Sequence, residues 1–211
     1  MEPTTRTPAK QRLQALPVTF TYSQAIRSGL SDRPLYRLRD QGLVEVLGRG
    51  LYRRSDVSAI PGDSGTGEPV DIELLEIAHR APRATLCLVT ALAHHGLIDD
   101  VPVAIDIALP RGYRRPATTI PVAWHAFSPA TFDIGRTLLR VDTETHIGLY
   151  GPQRCLIDAF RLAHREGEDL AATALKRWVR RPDGTPAELL DMTQNFPAVR
   201  RGLRQALVTL L

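Results

Sequence analysis

The sequence has little that would point to catalytic chemistry. Its 211 residues contain two cysteines, Cys87 and Cys155, both inside apolar runs (Leu86-Cys87-Leu88-Val89 and Cys155-Leu156-Ile157). Such positions suit small buried thiols in a reducing compartment, not a disulfide or a nucleophile. No apolar run approaches the roughly 18 residues needed to span a bilayer. The opening Met1-Glu2-Pro3-Thr4-Thr5 lacks the apolar core of a signal peptide, so the expected location is the cytoplasm. Neither Gly-x-Ser-x-Gly nor Cys-x-x-Cys occurs. Of six histidines the only pair is His94-His95, and neighbours on a helix point about 100° apart, which makes them poor joint metal ligands. A helix end with one buried and one exposed imidazole is expected there. Asp99-Asp100 follows a helix stop and reads as a turn rather than a cation site. Gly62 and Gly67 have the spacing of a phosphate-binding loop, but Glu68 and Pro69 stand where Lys and Ser/Thr are required, and no strand leads in. No catalytic residue, metal or cofactor is therefore expected.

What the chain does have is uneven charge. The net formal charge is +4, yet residues 1–54 carry ten Lys/Arg against four Asp/Glu, and residues 55–150 carry seven against twelve. Residues 151–211 return to ten against seven. A basic head on an acidic middle points to a nucleic-acid contact at the N-terminus and a different role behind it.

The local patterns in that head are specific. A first helix is predicted from about Pro8 to Leu16, with Leu13 and Leu16 facing inward. Thr21 followed three residues later by Gln24 is a capping-box signature, with Phe20 placed to staple onto Ala25 or Ile26. Gly29 ends that helix and Ser31 is expected to cap the next, whose first turn accommodates Pro34. Leu35, Leu38 and Leu43 then face the core, while Arg33, Tyr36, Arg37 and Asp40 share the opposite face at i, i+3, i+4 and i+7. Gly42 stops the helix. Two short strands, Val44–Leu47 and Leu51–Arg54, flank Gly48-Arg49-Gly50, whose glycines are expected to supply positive φ. Helix, turn, helix and hairpin in this order predict a winged helix-turn-helix over residues 1–55. On this reading Arg33, Tyr36 and Arg37 lie on the groove-reading helix, Arg49 at the wing tip, and Arg53 and Arg54 at its base, together the candidate DNA-binding residues.

The Pro/Gly-rich stretch Ile60-Pro61-Gly62-Asp63-Ser64-Gly65-Thr66-Gly67-Glu68-Pro69 marks a linker over residues 56–69. Behind it, residues 70–211 predict an α+β domain with a small, mostly antiparallel sheet and a helical C-terminal part. Helices are expected near Val70–His79 and Thr85–His95, strands at Val103–Leu109, Ile120–Phe127, Arg136–Val141 and Thr145–Tyr150, and helices at Arg154–His164, Asp169–Arg180, Pro186–Gln194 and Ala198–Leu210. Pro110-Arg111-Gly112-Tyr113-Arg114-Arg115-Pro116 is a basic loop between two strands. Lys176-Arg177-Trp178-Val179-Arg180-Arg181 is either a second nucleic-acid patch or a solvated helix face with Trp178 in the core.

These pieces resemble the AbiEi-family antitoxins of bacterial type IV toxin–antitoxin systems. The resemblance rests on Gly29-Leu30-Ser31, Leu35-Tyr36-Arg37-Leu38, Gly42-Leu43-Val44 and Leu47-Gly48-Arg49-Gly50-Leu51-Tyr52 in the head. It continues in Leu88–Leu97, Ile105–Pro110 and Pro152-Gln153-Arg154-Cys155-Leu156-Ile157-Asp158. None of these is a catalytic signature; their order carries the weight. The resemblance implies a transcriptional autorepressor that binds inverted repeats of double-stranded DNA in its own promoter. It also implies that the protein counteracts a co-encoded nucleotidyltransferase toxin, directly or indirectly, through its C-terminal domain. Two copies on one operator would place half-sites about one helical turn apart. Two other classes stay open at this level: a small-molecule-responsive regulator without a toxin partner, and an enzyme that modifies the toxin.

Overall fold

The computed structural model describes residues 8–55, 71–142 and 144–210; the predicted linker lies outside them. The chain forms two compact units, Met1–Pro82 with Arg140–His146, and Arg83–Leu139 with Ile147–Leu211. The chain is α+β, with helices and small sheets in both units.

Unit 1 runs α1 (Ala9–Gln14), β1 (Thr19–Thr21), α2 (Tyr22–Arg27), α3 (Asp32–Asp40), β2 (Val44–Gly48), β3 (Leu51–Arg54) and α4 (Ile72–Arg80). The capping box forms as its spacing predicts. The Thr21 hydroxyl accepts the Gln24 N–H at 3.2 Å, and Gln24 Oε1 accepts the Thr21 N–H at 2.6 Å. Gly29 (φ +85°) reverses the chain between α2 and α3 and Gly42 (φ +71°) ends α3, both in the left-handed region that glycine enters without a Cβ clash. Ser31 holds the N-cap position of α3, but its side chain makes no capping bond, contrary to the expectation. The hairpin turn also differs: Gly50 alone takes positive φ, at +73°, and Gly48 does not. A bulge between Val46 and Gly48 takes up the offset.

The strand β1 is not evident in the sequence. It pairs antiparallel with β3 (Phe20 opposite Tyr52), giving a three-stranded sheet in the order β1-β3-β2, antiparallel throughout. The Phe20 and Tyr52 rings stack across the pair at 5.7 Å. They join Leu13, Leu16, Ala25, Leu30, Leu35, Leu38 and Val44 in one buried cluster, with Leu43 packed on its edge. In α4, Asp71 caps the helix by accepting the N–H groups of Glu73 and Leu74, each at 3.0 Å. This helix groups with unit 1.

Unit 2 runs β4 (Thr85–Leu86), α5 (Leu88–His94), β5 (Ile105–Pro110), β6 (Val122–Phe127), α6 (Pro129–Phe132), β7 (Arg136–Arg140), β8 (His146–Tyr150), α7 (Pro152–Arg161), α8 (Ala163–Glu166), α9 (Glu168–Val179), α10 (Pro186–Met192) and α11 (Pro197–Leu210). Its five strands lie in the order β6-β5-β4-β8-β7. The mostly antiparallel sheet expected for residues 70–211 is met only in part, because this sheet is mixed. β4 pairs antiparallel with β5, whereas β4–β8 and β5–β6 are parallel. The reason is the basic loop after β5, which crosses over instead of closing a hairpin, so β6 re-enters in the same direction. The helix predicted from Thr85 is also divided. Thr85 and Leu86 are drawn into the sheet between β5 and β8, and Leu88 (φ +44°) turns the chain into α5. Helix α7 is the core of this unit, with every residue from Arg154 to Ala159 buried.

Candidate nucleic-acid interface

Burial fixes which way α3 faces. Leu35 and Leu38 are 1 % and 3 % exposed, and the 3.6-residue repeat then turns Arg33, Tyr36, Arg37 and Asp40 outward, where all four are exposed. Arg39 lies 5.0 Å over the Tyr36 ring and pairs with Asp40 at 2.8 Å, so its charge is partly spent. Arg33 and Arg37 have no side-chain partner among the described residues. At the start of α3, the Asp32 carboxylate accepts the Tyr22 hydroxyl, and that bond raises the Tyr22 pKa. This latch between α2 and α3 has no signature in the sequence. A second brace is Arg12, whose guanidinium donates to the Gly29 carbonyl and so holds the turn between the two helices to α1.

The three hairpin arginines of the sequence reading separate in the structure. Arg49 stands exposed on the turn with no side-chain partner among the described residues. Arg53 is half-buried and faces Glu45 across the ladder at 3.9 Å. Arg54 turns back, its Nη1 donating to the carbonyls of Gln14 and Leu16, each at 2.8 Å, at the end of α1. Arg33, Tyr36, Arg37 and Arg49 thus project from the surface, while Arg53 and Arg54 are engaged within the fold.

Beside the hairpin turn lies an open cleft of about 420 Å³, walled by the start of α2, the turn and α4. Arg27, Arg49 and Arg80 line it, with Glu76 and His79. Arg80 Nε pairs with Glu76 at 2.8 Å, and its Nη2 donates to the Arg49 carbonyl at 3.0 Å. Burial lowers the His79 pKa, only partly offset by the Asp142 carboxylate. Sequence reasoning did not single out Arg27 or Arg80. For Arg27 the signal was the basic surplus of the head, and Arg80, in the acidic middle, had none.

In unit 2 the groups weighed in the sequence have ordinary structural partners. His94 is exposed, and His95 is half-buried with Nε2 donating to the Tyr150 carbonyl at 2.8 Å. Asp99 takes a two-pronged ion pair from Arg177, whose hydrogen bond holds the carboxyl below its usual range. Trp178 is 1 % exposed on the inner side of α9, Lys176 and Arg180 are exposed, and Arg181, beyond the end of α9, is bonded to the His95 carbonyl and to Asp183. Cys87 and Cys155 are both buried thiols, and burial pushes the Cys155 pKa far up. Among the described residues no helix is long and apolar enough to cross a membrane.

No curated protein matches the chain. Residues 11–55, from within α1 through the hairpin, match a family described as transcriptional regulator, AbiEi antitoxin, the family whose motifs the head of the sequence resembles.

Proposed function

We propose that the protein is a DNA-binding antitoxin and transcriptional autorepressor of a type IV toxin–antitoxin pair, acting in the cytoplasm. Unit 1 serves as a winged helix-turn-helix with α3 in the major groove and the β2–β3 hairpin as the wing. One observation carries the DNA reading. A helix anchored by Leu35 and Leu38 presents Arg33, Tyr36 and Arg37 to solvent, and Arg49 stands exposed on the hairpin turn with no side-chain partner among the described residues, all inside the segment that matches the antitoxin regulators. Arginine forks read guanine edges or grip phosphates, and a tyrosine hydroxyl suits phosphate or sugar. Arg53 and Arg54 hold the base of the hairpin through Glu45 and the α1 carbonyls. The target is an inverted repeat in the protein's own promoter, bound by two copies with half-sites about one helical turn apart. The remainder of the chain counteracts a co-encoded nucleotidyltransferase toxin.

The test separates the two roles without truncation. The full chain and an Arg33→Ala/Arg37→Ala/Arg49→Ala variant are titrated onto duplex DNA from upstream of the reading frame, and each is co-expressed with the adjacent gene. The variant should lose the gel shift yet still rescue growth. An unchanged gel shift, or an adjacent gene that is not toxic, would refute the corresponding half of the proposal.

A further inference from the structure

We infer that the cleft between α2, the hairpin turn and α4 seats sugar-phosphate backbone of the same duplex, so that α4, outside the family-matched segment, is part of the DNA-binding surface. The inference rests on the DNA reading above and adds to it a second contact, made to phosphate rather than to bases.

The lining of the cleft decides the class of ligand. Its walls carry three guanidinium groups, from Arg27, Arg49 and Arg80, against one carboxylate, Glu76, which is itself 7 % exposed and paired with Arg80. Arg27 and Arg49 have no side-chain partner among the described residues. The exposed Ser23 adds a hydroxyl, and the large apolar or aromatic side chains in the lining are Leu51 and Tyr22, whose hydroxyl is bonded to Asp32. Pockets for drug-sized metabolites are walled mainly by apolar and aromatic groups. An open cleft walled by guanidinium and hydroxyl groups instead matches a solvated polyanion, because arginine meets phosphate with paired, charge-assisted hydrogen bonds. Burial also favours the uncharged form of His79, so the positive field here comes from the arginines.

Arg80 has a further task. Its bond to the Arg49 carbonyl, with Glu76 holding its Nε, ties the hairpin turn to α4 and fixes where the Arg49 side chain starts. A turn held in place loses less conformational freedom when DNA binds.

The test uses the full chain and two duplexes of equal length, one from upstream of its reading frame and one of unrelated sequence. Affinity is measured by fluorescence anisotropy from 50 to 200 mM KCl for Arg27→Ala, Arg80→Gln, Arg37→Ala and, as a charge control in unit 2, Arg200→Ala. Each lost phosphate contact flattens the plot of log affinity against log salt by about 0.9, so the fourfold salt increase weakens binding about 3.5-fold less than in the parent. Arg27→Ala and Arg80→Gln should each show this on both duplexes, leaving the ratio of specific to unrelated affinity unchanged, while Arg200→Ala matches the parent. If Arg37→Ala weakens binding but both cleft variants keep the parental slope, the cleft inference fails and the DNA reading stands. If Arg37→Ala and the cleft variants all bind as the parent does, the DNA reading fails with it. Titration with inorganic phosphate and pyrophosphate covers the other source of the same chemistry. Binding that Arg27→Ala abolishes, with duplex slopes unmoved, would assign the cleft to a free anion and overturn the backbone assignment.

Discussion

Arg154 offers the sharpest test of how unit 2 is held together. Its side chain is 0 % exposed, and its Nε pairs with Asp158 Oδ2 at 2.8 Å one helical turn along α7. Nη1 donates to the carbonyls of Thr131 and Ile134 at 2.6 and 2.7 Å, and the guanidinium lies over the rings of Tyr150 and Phe196 at 4.3 and 4.6 Å. Arg154→Met keeps much of the volume but leaves Asp158 with Arg161, 2.8 Å away, as its remaining cation. Breaking one side of a buried pair costs about 3–5 kcal/mol. At about 4 °C per kcal/mol for a unit of this size, Tm should fall by roughly 12–20 °C. Both tryptophans, Trp124 and Trp178, belong to unit 2, so urea unfolding followed by tryptophan fluorescence reports this unit alone. The double variant Arg154→Met/Asp158→Leu removes the stranded carboxylate and should cost less than the sum of its single changes by at least about 1 kcal/mol. A loss below about 1 kcal/mol for Arg154→Met, or strict additivity in the cycle, would refute this account.

The other predictions concern unit 1, the interface and pH. Gly29→Ala imposes a side chain at φ +85° and sets its Cβ 2.7 Å from Arg12 Nη1, displacing the guanidinium that braces the turn. A loss of about 1–2 kcal/mol in thermal denaturation is expected, and an unchanged melt would show that the turn relaxes freely. Arg37→Ala should weaken promoter binding by about 1–3 kcal/mol with relaxed base preference, whereas Arg49→Ala should lower affinity on all sequences and flatten the salt dependence by about one counterion; identical behaviour of the two would contradict their assignment. Burial lowers the pKa of both His79 and His95, so below about pH 6.5 the unfolded chain takes up protons that the folded chain resists, and stability declines as pH falls. The urea midpoint should therefore drop between pH 7.5 and 5.5, less steeply for His95→Gln, and equal pH dependence in parent and variant would remove His95 as a cause.

What could be read ahead of the structure was what depends on near neighbours. The Thr21–Gln24 capping box, the Gly29 and Gly42 stops, the inward Leu35 and Leu38 and the hairpin around Arg49 each rest on residues within one or two turns of chain. The strands β1 and β4 did not show because they are three and two residues long, too short for an alternating pattern. Their partners, β3 and β8, lie about 30 and 60 residues away in sequence. Parallel pairing of β5 with β6 was hidden for a related reason, since a strand's sequence does not state the direction of its neighbour. Arg154 sits in a motif that the sequence singled out, yet its spacing to Asp158 looks like any surface i, i+4 pair. Phe127 and Phe196 from distant segments, with Tyr150 from the strand just before α7, make that pair a buried one.

The same distinction governs the charge that first drew notice to the N-terminal segment. Eight arginines fall between residues 8 and 55, and a count treats them alike. The fold does not. Arg12 is tied to the Gly29 carbonyl, Arg39 to Asp40, Arg53 to Glu45, and Arg54 to the carbonyls that close α1. Arg27, Arg33, Arg37 and Arg49 are left without side-chain partners among the described residues. An arginine already bonded within the fold must exchange one partner for another to reach a phosphate, so its net gain is small, whereas an unpartnered one gives up only water and condensed counterions. On the proposed DNA reading, the four unpartnered positions on α2, α3 and the hairpin turn therefore contribute most of the net affinity, and Arg80 on α4, which keeps its bonds to Glu76 and the Arg49 carbonyl, adds charge more than net affinity. The bonded arginines act earlier, fixing the turn, the hairpin base and the end of α1 that hold those four in place.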